Sequence, residues 1–130
     1  MINTSNFDYI NVLDKAADAS WLRNEAIANN IANATTPNYK RQDVSFEESL
    51  RASITGASEK SLDKKIHNIN LDTLRPSVYT DVAASSYRLD GNNVDPEAEN
   101  VYYAENQLYY QGIMESISSE FDNMRTAMGK

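Results

Sequence analysis

A chain of 130 residues with 19 Asp and Glu against 12 Lys and Arg carries a net charge of −7, which suits neither nucleic acid nor anionic membrane, both of which are bound through clustered basic side chains. The absence of cysteine excludes disulfides, thiolate metal sites and a cysteine nucleophile. Hydrophobic residues make up 41% of the chain and concentrate in its two end segments, so the length is sufficient for one domain but a single large core is not expected.

Residues 1–6 lack the basic region and apolar run of a cleavable signal peptide, and no stretch approaches the roughly 18 apolar residues of a membrane span. Export, if it occurs, is expected to use another route. Ser5 with Asp8 three residues on reads as a helix N-cap. From there Ile10, Leu13, Ala17, Ser20, Asn24, Ile27, Ile31 and Ala34 step by threes and fours, the seam of a helix packed at coiled-coil spacing. Pro37 is expected to end it, after a length on the order of 40 Å. Ala16, Ala17, Ala19 and Ser20 would allow close approach of a neighbour, or merely favour helix. Asn29, Asn30 and Asn33 are poor helix formers within a turn and a half. They are either exposed or buried as register-fixing amides, and Asn24 inside the seam favours burial.

Residues 42–94 form a polar middle segment, separating an N-terminal unit of residues 1–41 from a C-terminal helix of residues 95–130. The middle is rich in Ser, Lys, Asp and Asn and shows no sustained helical period. It reads as loop with some extended structure, and the alternation Ile66-His67-Asn68-Ile69-Asn70-Leu71 predicts a half-exposed strand there.

Asp90-Gly91 marks a turn, Asp95 an N-cap and Pro96 the first helical position, with Glu97 and Glu99 well placed for the helix dipole. The apolar stripe that follows is Val101, Ala104, Leu108, Met114, Ile117, Phe121, Met124 and Met128, interrupted by Gln111, with a shift of phase and a bend expected at Gly112. Tyr102 with Tyr109, and Tyr103 with Tyr110, form rows beside it. These tyrosines serve either an interface between chains or packing on the middle segment of their own chain. The predicted architecture is therefore mainly α, with long N- and C-terminal helices pairing as a coiled-coil-like core around an irregular, partly extended middle. A helix apolar on several sides calls for several neighbours. The candidate assembly interface comprises Leu13, Ala17, Asn24, Ile27, Asn30, Ile31 and Asn33 on the first helix. On the second it comprises Val101, Leu108, Tyr109, Tyr110, Met114, Ile117, Phe121 and Met124.

Catalytic patterns are weak. His67 is the only histidine, so neither an HExxH zinc site nor a Ser-His-Asp triad with a choice of base can be drawn, and a solvated loop histidine is expected. Asp90, Asn92 and Asp95 resemble the start of a calcium loop, but Asp95 stands at the sixth position, where glycine is needed, and Val101 at the twelfth, where glutamate is needed. The four glycines form no nucleotide-binding loop. Glu97 and Glu99 belong to a helix's first turn rather than to a glycosidase pair. No enzyme activity, metal or cofactor is expected.

The segment Ala28-Asn29-Asn30-Ile31-Ala32-Asn33-Ala34-Thr35-Thr36-Pro37-Asn38-Tyr39-Lys40-Arg41 resembles the N-terminal signature of the flagellar axial family of rod, hook and hook-associated proteins, commonly ANNxANxxTPGYKR. Its turn motif here is Thr36, Pro37, Asn38, Tyr39, Lys40 and Arg41. Asn38 stands where the family usually has glycine, and asparagine is the residue that best tolerates the left-handed position of a type II turn after glycine. The run Tyr87-Arg88-Leu89-Asp90-Gly91-Asn92-Asn93-Val94-Asp95, the run Ala104-Glu105-Asn106-Gln107-Leu108-Tyr109-Tyr110-Gln111 and the short length resemble a proximal rod subunit within that family.

The resemblance implies a structural protein of the periplasmic rod in the flagellar basal body, self-assembling through its terminal helices at the proximal end to transmit torque. It implies export through the flagellar type III secretion channel without a cleaved signal peptide. The implied partners are other copies of itself, other rod subunits, the rod adaptor FliE, and export-gate and MS-ring components, with neither nucleic acid nor membrane insertion. The alternative from composition alone is a small acidic helical chaperone or adaptor of a secretion system, which would need neither the TPNYKR turn nor the RLDGNNVD junction.

Overall fold

The computed structural model describes residues 5–82 and 88–129. In chain order it forms helix α1 (Ser5–Ala32), strand β1 (Gln42–Ser45), helices α2 (Glu47–Thr55) and α3 (Leu62–His67), strand β2 (Ser77–Thr80) and helix α4 (Pro96–Ala127). The 28 residues of α1 and 32 of α4 make rods of about 42 and 48 Å at 1.5 Å per residue. They lie side by side in opposite directions, with Asn30 beside Glu99 and Ser20 beside Asn106. The fold is the predicted mainly helical one, with the terminal helices paired and a short sheet in the middle.

The start of α4 is the expected one. The Asp95 carboxylate accepts from the backbone N–H groups of Glu97 at 3.0 Å and Ala98 at 3.4 Å, and Pro96 opens the helix. The helix runs unbroken through Gly112. The predicted cap on Ser5 falls on a side chain outside the described residues.

The end of α1 differs from expectation. It stops at Ala32, five residues before Pro37, because polar side chains supply competing bonds there. The Asn33 amide donates to the Asn29 carbonyl at 2.8 Å, and the Thr36 hydroxyl donates to Asn33 Oδ1 at 3.1 Å. The chain then turns away before proline is reached.

The middle segment carries more regular structure than its composition suggested. The alternation at 66–71 is not a strand. Instead α3 ends at His67, with Asp63 in its first turn and Lys64, Lys65 and His67 in its last, the charge order a helix dipole favours. Ile66 is buried and Ile69 half-buried, three residues apart on one side of the chain. His67 is exposed, as expected, but its ring meets Asp8 of α1 at 2.7 Å. The strands lie elsewhere. β1 and β2 pair antiparallel with Asp43 opposite Tyr79 and Val44 opposite Val78, and the Ser-Val-Tyr-Thr run of β2 has the β-branched and aromatic content strands favour.

One core cluster forms where the middle segment covers α1. Phe46 and Leu74 are fully buried, joined by Val44 and Ile66 and packed on Val12, Ala16, Ala19 and Ala26, with Ile113 arriving from α4. The alanines on this side of α1 leave room for the larger side chains of the middle segment. Small residues also sit toward α4, where Ser20 is fully buried.

Candidate assembly core

The TPNYKR segment forms the turn its residues dictate. The Tyr39 N–H donates to the Thr36 carbonyl at 3.3 Å, Pro37 takes the first central position, and Asn38 takes the second with φ +61°. Asparagine thus fills the left-handed place at which the family uses glycine.

This turn docks on the Arg88–Asn93 junction, more than fifty residues away. The Asn38 N–H donates to the Asp90 carbonyl at 2.8 Å and the Asn93 N–H to the Tyr39 carbonyl at 3.3 Å. Asn93 Oδ1 accepts from the Arg41 N–H at 2.7 Å, and the Lys40 ammonium donates to the Gly91 carbonyl. The junction also holds the turn that follows α1. Asn92 Nδ2 donates to the carbonyls of Asn33 and Thr36, both at 2.8 Å, and Arg88 donates to the Ala34 carbonyl at 2.6 Å. The path of the chain between α1 and β1 is thereby fixed. Tyr87, the first residue of the junction motif, lies outside the described residues.

Gly91 is the contact point. Its φ is +75°, and a Cβ there would stand 2.6 Å from Asn38 Oδ1. Gly91→Ala is expected to cost about 1–2 kcal/mol through the left-handed backbone and to push the Asn38 side chain aside. Urea unfolding of the variant checks this, and a change within a few tenths of a kcal/mol would show that the junction tolerates a side chain.

Beneath the turn lies a buried polar centre. Asn30 is fully buried, and its amide treats Gln42 as a neighbouring strand would: Oδ1 accepts the Gln42 N–H and Nδ2 donates to the Gln42 carbonyl, both at 2.8 Å. Nδ2 also reaches Glu99 Oε2 at 3.1 Å, and the Tyr39 hydroxyl donates to Oδ1 at 3.3 Å. Glu99, 1% exposed on the first turn of α4, receives Arg41 Nε at 2.8 Å. Arg41 also meets Asp81 at 3.1 Å and Asp43 at 3.4 Å, and its guanidinium stands 5.3 Å from the centre of the Tyr102 ring. Burial opposes the Arg41 charge, but the hydrogen bond and charge of Glu99, with Asp81 and Asp43, outweigh it and raise its pKa above the ordinary value.

A second charged group joins α1 to the start of α2. Arg23 grips Glu47 with two bonds of 2.7 Å and donates to the Val44 carbonyl at 2.9 Å. The outward-facing carbonyls of β1 are thus met by side chains of α1. The Arg23 hydrogen bond holds the Glu47 pKa below its ordinary 4.5 in spite of burial. A carboxylate whose pKa is lowered on folding stabilises fully above its unfolded value and loses that contribution as pH falls through the folded one. Arg23→Met should therefore flatten the acid limb of stability below about pH 4.5. The effect is on the order of 0.5 kcal/mol, since the carboxylate is 44% exposed. Unfolding curves between pH 3 and 6 test it, and parallel profiles for the two chains would refute it.

Along the helix pair, Asn106 is the central polar residue. It accepts from the Ser20 hydroxyl at 3.0 Å and donates to the Ser20 carbonyl and to Asn24 Oδ1, each at 2.8 Å. Glu99, Asn106 and Ile113 follow at seven-residue intervals, and half-buried Ile117 and Met124 continue the packed face.

The stripe predicted for α4 is therefore rotated from the face that packs on α1. Val101, Ala104, Leu108, Met114, Phe121 and Met128 are exposed, while Ile117 and Met124 are half-buried. The reason is that Glu99 and Asn106 are polar, so a stripe traced through apolar residues passes them by. On α1 the seam is closer to its prediction: Ser20, Ile27 and Ala34 are buried and Leu13, Ala17 and Asn24 half-buried, whereas Ile31 faces outward. Of the asparagines, Asn30 is buried, Asn33 half-buried and Asn29 exposed. Tyr109 is exposed beside β1 and Tyr110 half-buried. Glu99, Asn106, Asn92 and Arg23 carry contacts that the sequence reading did not assign. The heptad interval linking Glu99, Asn106 and Ile113 was the available signal.

Among the described residues, no group of three or more His, Asp or Glu side chains is arranged to hold a metal, and no helix is long and apolar enough to cross a membrane.

No protein-family model matches the chain. The flagellar basal body rod protein FlgB of Bacillus subtilis is 35% identical over 118 residues, covering 89% of each chain. The chain belongs to the FlgB family. FlgB of Borrelia hermsii is 36% identical over 110 residues, covering 78% of this chain and 81% of its own, and FlgB of Escherichia coli is 28% identical over 113 residues, covering 82% of each. Membership makes the chain a component of the flagellar basal body rod. It also gives the docked turn and junction a context, since both lie within a FlgB-family chain matched over most of its length.

Proposed function

We propose that this FlgB-family chain is a structural subunit that assembles with its own copies and with other rod subunits through its terminal helices, at the proximal end of the rod, and transmits torque there. FliE, the export gate and the MS ring are the neighbours such a position implies, and export through the flagellar type III channel is the route that delivers the chain to the periplasm. The observation that supports this reading is the outer side of α4. Val101 is 56% and Leu108 70% exposed, and seven residues apart they share the side of α4 turned away from the Glu99 and Asn106 face packed on α1, with Met114 and Phe121 exposed on the flank. An apolar side left outside a completed helix pair suits contact with further helices. The docked turn and junction supply the rigid frame from which both helices project.

Leu108→Asp tests the reading. Because that side chain is 70% exposed in the monomer, its unfolding free energy should change by about 0.5 kcal/mol. Cells carrying the variant should nevertheless lack rods and motility. Normal rods and swimming would remove α4 from the interface.

A further inference from the structure

The molecule offers a knob on one flank of its helix pair and a hole on the other. Trp21, the only tryptophan of the chain, is 68% exposed on α1. Arg23 stands two positions on, and two helical steps turn a side chain by about 200°, so Trp21 and Arg23 face nearly opposite sides. On the Arg23 side lies a cavity of about 270 Å³. Tyr102 and Tyr109 line it with buried Ile27 and Asn106, and around them stand the Arg23–Glu47 and Arg41–Asp43 ion pairs and Glu105. That volume is below the roughly 300–1,000 Å³ typical of small-molecule sites, and it suits a large side chain.

We infer that Trp21 of one copy of this chain seats between Tyr102 and Tyr109 of the next, in a head-to-tail contact. The inference rests on the rod reading above and specifies one of its interfaces. The chemistry is complementary. An indole gains from aromatic walls in edge or offset contact, and its N–H needs an acceptor, which the exposed Glu105 carboxylate provides. Tyr102 is already held by the Arg41 guanidinium, so the hole is shaped before a partner arrives.

A copy in a head-to-tail series uses two different patches, whereas a two-fold dimer uses one. Only the former propagates.

Cysteine crosslinking tests the contact with its aromatic residues intact. Asp18→Cys lies one turn from Trp21 and Gly112→Cys one turn from Tyr109, outside the lining of the hole, both at exposed positions of a chain without cysteine. In motile cells co-expressing the two single variants, oxidation should link D18C to G112C. Neither variant alone should link to itself. Trp21→Ala added to both should lower the yield at least tenfold, and Trp21→Phe should restore most of it. Motile cells without the mixed crosslink, or with D18C joined to D18C, would overturn this contact and leave the rod reading intact. Full motility after deletion of the chain would overturn both.

Discussion

Glu99→Ala is expected to destabilise the monomer by about 3–5 kcal/mol, the range for removing one partner of a buried ion pair. The reason lies in what remains. The Arg41 side chain is only 12% exposed and keeps its charge, since a guanidinium is not deprotonated in proteins. Without Glu99 it must rely on Asp81 at 3.1 Å and Asp43 at 3.4 Å, while Asn30 Nδ2 loses one acceptor. A domain of this kind has roughly 5–15 kcal/mol in total, so the variant should unfold at a far lower urea concentration. Glu99→Gln, which keeps an acceptor but removes the charge, should cost less than half as much. A loss below about 1 kcal/mol for the alanine variant would mean that Asp81 and Asp43 suffice.

Asn30→Ala is expected to cost about 3 kcal/mol, for a different reason. The methyl group cannot replace the amide, so the N–H and carbonyl of Gln42, part-buried against fully buried Asn30, lose their partners, at about 1–3 kcal/mol for each unsatisfied group. Hydrogen exchange separates this from a general loss of packing. The Gln42 amide should lose protection more than the amides of Asp43 and Ser45, which face β2. Asn30→Asp should be worse still, because a carboxylate would point at both the Gln42 carbonyl and Glu99. Unchanged protection at Gln42 would show that the amide does not act as a surrogate strand.

The two long helices, the Asp95 cap and the turn at Pro37-Asn38 were legible because each depends on local chemistry: periodicity, a capping carboxylate, a residue that tolerates positive φ. The packed face of α4 was not, because its determinants are polar. Glu99 and Asn106 are inward-facing for reasons that reside in Arg41, Asn30, Ser20 and Asn24, and a single helix does not display those partners. The strands were missed because β1 and β2 are short and their pairing joins segments 35 residues or so apart. The short helix at Leu62–His67 was missed because only Leu62 and Ile66 of its six residues are apolar and the strand-like run was read from Ile66 onward, past the helix end, while its charge order was the better guide. The docking of turn and junction could be suspected from two motifs in one chain, but their hydrogen bonds run largely through backbone groups and two asparagine amides.

The bonds that close the polar seam span 86 residues between Ser20 and Asn106, and those that fix the turn span 51 to 59. Contacts so distant along the chain are costly to close and slow to form. A chain not yet joined by α4 leaves Asn30 and Arg41 without Glu99, and Ser20 without Asn106. The native arrangement of this molecule is complete only once α4 lies along α1, because the polar groups at both levels of the seam are shared between the two ends of the chain.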